Sequence, residues 1–114
     1  MTPNLDELMR ISVTRHAKYP NFRSGNIVYP ALGLAGESGE VVEIVKKALR
    51  RANSSEYGCA ANILTNDERS RLTLEIGDVL WYVEALCREL GITPHQAMQA
   101  TLAKLDERHK EASE

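Results

Sequence analysis

Four carboxylates stand in two matched pairs. Glu37-Ser38-Gly39-Glu40 and Glu75-Ile76-Gly77-Asp78 each set two acids three residues apart, which on a helix is about one turn. At about 100° per residue, each pair lies on the flank of its helix's apolar stripe. Packing the two stripes against each other, with the helices antiparallel, brings the four acids together. Without a counter-ion that cluster is unfavourable, because two like charges about 4 Å apart repel by roughly 4 kcal/mol at an effective dielectric of about 20. A divalent cation reverses the sign. Oxygen-only ligands suit Mg²⁺, with Mn²⁺ as a substitute, and Mg²⁺ is commonly shared between a few carboxylates, water and substrate phosphates. The chemistry expected is therefore metal-assisted attack of water on a phosphate-bearing substrate, the proton going to a carboxylate not fully used as a ligand.

A solvated pair of helix acids is common, and either pair alone says little. Glu75 and Asp78 say more, because they adjoin and interrupt a densely apolar segment, Ile76 to Val83, that includes Trp81 and Tyr82. Charges there need a reason.

Other residues have two readings each. Lys47 projects to the Glu37/Glu40 side of its helix, to reach a phosphate or to pair with Glu43. Lys104 and Arg108 lie one turn apart, as a clamp for phosphates or as cations that complement a helix C-terminus. Tyr82 is one turn beyond Asp78, on the side where a sugar or base would meet it. Trp81 is assigned to core or interface, and Glu43 to the outside. His16 and Tyr19 are expected to be structural, and the Asp106/His109 pair superficial.

Four helices must carry these residues. Thr2-Pro3 reads as the cap and first turn of helix one, which ends before Tyr19-Pro20. Helix two runs from about Pro30 to Arg51, with Leu34, Val41, Val42, Val45, Ala48 and Leu49 as its stripe. The connection from Ala52 to Asn66, with Asn53-Ser54-Ser55 and Gly58, is long for a link between helices. Thr65 and Glu68 form a capping box for helix three, whose stripe is Leu72, Ile76, Val79, Leu80, Val83, Leu86, Cys87 and Leu90 until Gly91 stops it. Thr93-Pro94-His95-Gln96 opens helix four, which runs to about Lys110. Strand signals are nearly absent, so the class is all-α: a four-helix bundle-like domain over residues 1–114.

Composition narrows the function. The 114 residues are 43% hydrophobic, enough for one modest core that association would complete. Fourteen basic and sixteen acidic residues leave a charge of -2, which argues against nucleic-acid and membrane partners. The N-terminal segment, punctuated by Asp6 and Glu7, does not resemble a signal peptide, and a cytoplasmic location is expected. Cys59 and Cys87 have no zinc or redox spacing; Cys87 is assigned to the core, and Cys59 to a free thiol in the connection.

At these residues the sequence resembles the MazG-like, all-alpha nucleoside triphosphate pyrophosphohydrolases. Leu32-Gly33-Leu34-Ala35-Gly36-Glu37-Ser38-Gly39-Glu40-Val41 is similar to the family's first metal helix, its small glycines allowing close helix approach, and Lys46-Lys47 with Arg50 follows. Glu75-Ile76-Gly77-Asp78-Val79-Leu80-Trp81-Tyr82 is similar to the second metal helix, and Lys104-Leu105 with Arg108 to a C-terminal basic motif. The resemblance covers roughly Tyr19 to Arg108. It implies hydrolysis of nucleoside triphosphates to monophosphate and pyrophosphate, in nucleotide-pool housekeeping. It also implies Mg²⁺ on Glu37, Glu40, Glu75 and Asp78, substrate contacts from Lys47, Tyr82, Lys104 and Arg108, and a homodimer or homotetramer. Two departures stand out: 34 residues separate Glu40 from Glu75, longer than is usual, and Thr101 replaces an asparagine found in many members.

Two other readings compete. A di-iron bundle normally needs Glu-x-x-His pairs, and the chain has none. A catalytically idle helical module, using the same acids to bind metal or nucleotide for regulation, is separated from an enzyme by turnover alone.

Overall fold

The computed structural model describes residues 2–52 and 60–113, and the described residues form four α-helices and one 3₁₀ turn, with no strand. The helices are α1 (Leu5–His16), α2 (Val28–Ala52), α3 (Asn66–Leu90) and α4 (Pro94–Ser113), and the 3₁₀ turn spans Ala61–Ile63. Cys59, Gly58 and the Asn53-Ser54-Ser55 run lie outside the described residues.

Side-chain caps fix where the helices begin and end. Helix α1 starts later than Thr2-Pro3 predicts, because the Asn4 carboxamide accepts the Glu7 N–H at 2.9 Å and takes the cap. Helix α2 starts two residues before Pro30: Asn26 Oδ1 accepts the Tyr29 N–H at 3.0 Å, and proline is tolerated in a first turn, where its missing N–H has no intrahelical partner to lose. Asn26 is itself held from both sides, its N–H donating to Glu89 on α3 and its Nδ2 to the Pro20 carbonyl, each at 2.9 Å. The Thr65/Glu68 box forms in both directions, as does the Thr93/Gln96 box. Gly91 ends α3 in the left-handed region at φ 70°. Its neighbour Ile92 donates to the Cys87 carbonyl at 2.9 Å, closing a Schellman-type turn that a side chain at 91 would strain.

The long helices α2 and α3 are antiparallel partners. Gly33 meets Tyr82, Glu37 meets Glu75 and Asp78, and Arg51 meets Glu68, so numbers rise along one helix as they fall along the other. At the far end Arg51 grips the Glu68 carboxylate, with its NH2 nitrogen 2.6 Å from one oxygen, and also donates to the Ile63 carbonyl at 2.8 Å. The clamp joins the end of α2 to the start of α3 across the long connection.

Helix α1 lies on α3 and completes the core. Val13 and Ala85 are fully buried, with Tyr19 beside them, and Ala17, Phe22 and Trp81 close the cluster. Trp81 thus takes the core role expected of it, Tyr19 is structural, and Cys87 is buried. Polar ties support this contact: Arg88 pairs with the buried Glu84 one turn back and donates to Thr14 Oγ1 and to the Arg10 carbonyl on α1.

The stripes differ in detail from expectation. On α2, Ile44 is buried and Val42 is 63% exposed; on α3, Ile76 and Leu90 are exposed, while Glu84 and Ala85 turn inward. The reason is geometric: which apolar side chains are covered depends on where the neighbouring helix lies, and Val42, Ile76 and Leu90 lie on faces that no neighbour covers among the described residues. Helix α4 buries none of its described side chains, leaving Met98, Leu102 and Leu105 open. The shape reflects this. The radius of gyration is 17.6 Å, against about 13 Å for a compact chain of this length, and the surface is 8441 Å², against about 6,200 Å².

Candidate active site

Three of the four acids converge. Glu37 from α2 and Glu75 and Asp78 from α3 each offer a carboxylate oxygen, and the three oxygens lie within 4.8 Å of one another. The antiparallel pairing makes this possible, because it sets the Glu37 turn of α2 opposite the Glu75–Asp78 turn of α3. Glu40 is exposed and stands apart from the three, one turn further along α2, though its charge still acts on Glu37.

The electrostatics record crowding. Glu37 is pushed up to about 7, first by a hydrogen bond to the Glu75 carboxyl, then by burial and by the charges of Asp78, Glu75 and Glu40. Two carboxyl groups can share a hydrogen bond only if one keeps its proton. Asp78 is also raised, by partial burial first and then by Glu75. The second oxygen of Glu75, Oε2, is buried and meets no hydrogen-bond donor among the described residues. A buried carboxylate oxygen with no donor is costly, and a cation would satisfy it. The all-oxygen, all-carboxylate donor set fits a hard divalent ion of the Mg²⁺ or Mn²⁺ kind.

Tyr82 stands beside this cluster. It is half-buried, its ring packs on α2 at Gly33, and Trp81 meets it edge-on at 5.0 Å. Burial raises its phenol first, followed by Tyr29, Glu37 and Asp78. Tyr29, in the first turn of α2, stacks on Tyr19 with centroids 4.8 Å apart and planes 14° from parallel. An aromatic group therefore flanks the acids on the Tyr82 side.

The basic residues are placed differently. Lys47 is bound to Glu43 at 3.7 Å, and Lys46 joins the same carboxylate at 3.2 Å; these lysines hold Glu43 below its ordinary value. Glu43 is thus an ion-pair partner, and the pairing alternative for Lys47 is realised. Lys104 and Arg108 are exposed on α4. His16 is exposed at the end of α1.

Sequence reasoning missed how unequal the glycines are. Of those in the two acid helices, Gly33 alone is in close contact: a Cβ there would overlap the Tyr82 ring, while Gly36, Gly39 and Gly77 face open space. No spacing rule separates them, since the difference depends on which side chain lies across the helix pair.

A family model for the MazG nucleotide pyrophosphohydrolase domain matches residues 30–113. The chain belongs to the MazG family. The match takes in both acid pairs, Tyr82 and the whole of α4. A relative, the "Gene 37 protein" of Mycobacterium phage L5, is 31% identical over 106 residues, covering 90% of this chain and 86% of that protein. Its name gives no activity. No solved structure matches the chain. MazG domains are generally metal-dependent and act on nucleotides, which agrees with an acidic cluster able to hold a cation. The described residues include no helix long and apolar enough to cross a membrane.

Proposed function

We propose that this MazG domain, residues 1–114, hydrolyses nucleoside triphosphates to monophosphate and pyrophosphate in a Mg²⁺-dependent reaction. The observation that carries the reading is the convergence of Glu37, Glu75 and Asp78 within 4.8 Å, with an unsatisfied buried oxygen on Glu75. Those three, with Glu40 completing the set, are assigned as the metal-holding and catalytic acids. Held by these acids, Mg²⁺, or Mn²⁺ in its place, would supply charge neutralisation for the polyphosphate and a lowered pKa for water.

The residues of the chain do the rest. Water adds across the α–β anhydride, its hydroxyl going to one phosphorus while the bridging oxygen leaves with the other. The proton released goes to a carboxylate of the set that is not fully used as a ligand. Lys104 and Arg108 bind the phosphates, Arg108 with a fork of donors. Lys47 joins them by exchanging an exposed ion pair with Glu43, worth little where it stands. Tyr82 takes the sugar and base side.

The role assigned is nucleotide-pool housekeeping in the cytoplasm, by a homodimer or homotetramer. The apolar side chains of α4, with Leu74 and Ile76 on α3, support assembly, since exposed apolar surface of this extent is unusual on an isolated domain.

The test is a product-resolved assay with Mg²⁺ and a panel of ribo- and deoxynucleoside triphosphates, alongside Glu75→Ala. Monophosphate with pyrophosphate, lost with the substitution or with chelator, is expected. No turnover while metal still binds favours the idle regulatory module.

A further inference from the structure

We infer that Gly33 is a positioning residue for substrate, holding the Tyr82 ring flat against the backbone of α2 beside the carboxylate cluster. The inference rests on the proposed hydrolysis of nucleoside triphosphates and extends it to a residue that carries no functional group.

Three observations place it there. A Cβ at Gly33 would fall within the van der Waals envelope of three Tyr82 ring carbons, Cδ1, Cε1 and Cζ, while Gly36 and Gly39 on the same helix, and Gly77 opposite, have nothing within 4 Å. Gly33 lies one turn before Glu37, and Tyr82 one turn after Asp78, so the contact sits directly beside the acids on both helices. Trp81 also meets the ring, edge-on with planes 74° apart, and Trp81 packs against the buried Val13–Tyr19–Ala85 cluster. The ring therefore lies against the α2 backbone and adjoins an indole that the core keeps in place.

What gives way on adding a methyl follows from the same contacts. The α2 backbone is fixed by its pairing with α3, whereas a tyrosine ring swings on its side-chain torsions. Alanine is also the better helix residue. Gly33→Ala therefore leaves the helices intact and displaces Tyr82 from the cluster, separating a substrate effect from a folding effect.

The experiment is a double-mutant cycle of wild type, Gly33→Ala, Tyr82→Leu and the double variant, reading KM, kcat, Mg²⁺ affinity by calorimetry, and Tm. Gly33→Ala is expected to raise KM about tenfold, a coupling typical of residues in contact, with kcat and Mg²⁺ affinity little changed. In the Tyr82→Leu background the same substitution is expected to leave KM where Tyr82→Leu put it and to raise Tm, the helix gain now being free of the clash. Tyr82→Phe, which keeps the ring, is expected to keep the sensitivity to Gly33→Ala.

Effects on KM that multiply across the cycle overturn the inference while leaving the hydrolase reading intact, as does an unchanged KM in Gly33→Ala. A wild-type chain that neither hydrolyses nor binds a triphosphate, tested with a non-hydrolysable analogue, overturns both. If the analogue binds without turnover, the cycle is read on its Kd, with the same outcomes deciding.

Discussion

Glu37 on α2 and Glu75 on α3 face each other across the helix pair, and the hydrogen bond their carboxyl groups can share, with burial and the nearby acids, pushes Glu37 up to about 7. A proton shared by the pair offsets the repulsion between crowded carboxylates at the place where a cation is expected.

The pH dependence of stability follows, with its sign. A folded-state value of about 7 lies above the ordinary 4.5, so the contribution is fully present below the unfolded value and is lost as pH rises through 7. Asp78, also raised, acts in the same direction. The Tm of metal-free protein is expected to fall between pH 5 and pH 8, and Glu37→Gln, which needs no proton to donate a hydrogen bond, is expected to flatten that fall. Thermal unfolding across the pH series checks both.

Metal should act on the same pair with the opposite trend. At a free Mg²⁺ concentration of a hundred times Kd, binding to the folded state alone stabilises by about 2.7 kcal/mol. The gain in Tm should be larger at pH 8 than at pH 5, where protons compete for the carboxylates. Calorimetry in buffers of different ionisation enthalpy should show proton release on binding near pH 6.5, and less in Glu37→Gln.

Glu75 and Asp78 stand out in the sequence because they adjoin and break an apolar run, and the helices were legible because Thr65/Glu68, Thr93/Gln96 and Gly91 are local signals whose partners lie within a few residues. What was not legible depends on distant partners. Asn4 takes the cap that Thr2-Pro3 predicts, and Asn26 bonds a first-turn N–H ahead of the Pro30 start, since capping is decided by which side chain reaches the free N–H groups. Ile44 is buried where Val42 was expected, and Gly33 differs from Gly36 and Gly39, because only the packed helix pair shows what stands opposite each residue.

Assembly has its own test. Light scattering is expected to return a multiple of the 12.7 kDa chain mass. Leu102→Glu, on the open face of α4, should shift it towards the single chain without loss of helix content. A monomer at all concentrations would leave the exposed apolar face without its assigned partner.

The phosphate clamp predicts a split in kinetics. A hydrogen bond to a charged group is worth about 1.5–3 kcal/mol. Arg108→Ala should therefore weaken triphosphate binding by about tenfold or more at about 1.4 kcal/mol per decade, leaving Mg²⁺ affinity unchanged. Arg108→Lys, lacking the fork, should recover only part of the loss.

The most direct measurement is chromatographic separation of the products formed from nucleoside triphosphates by wild type and Glu75→Ala, with Mg²⁺ and with chelator. The account predicts monophosphate and pyrophosphate in equal amounts from wild type with Mg²⁺, and neither from the substituted or chelated protein. Diphosphate and phosphate as the products, or turnover that survives Glu75→Ala, would contradict it.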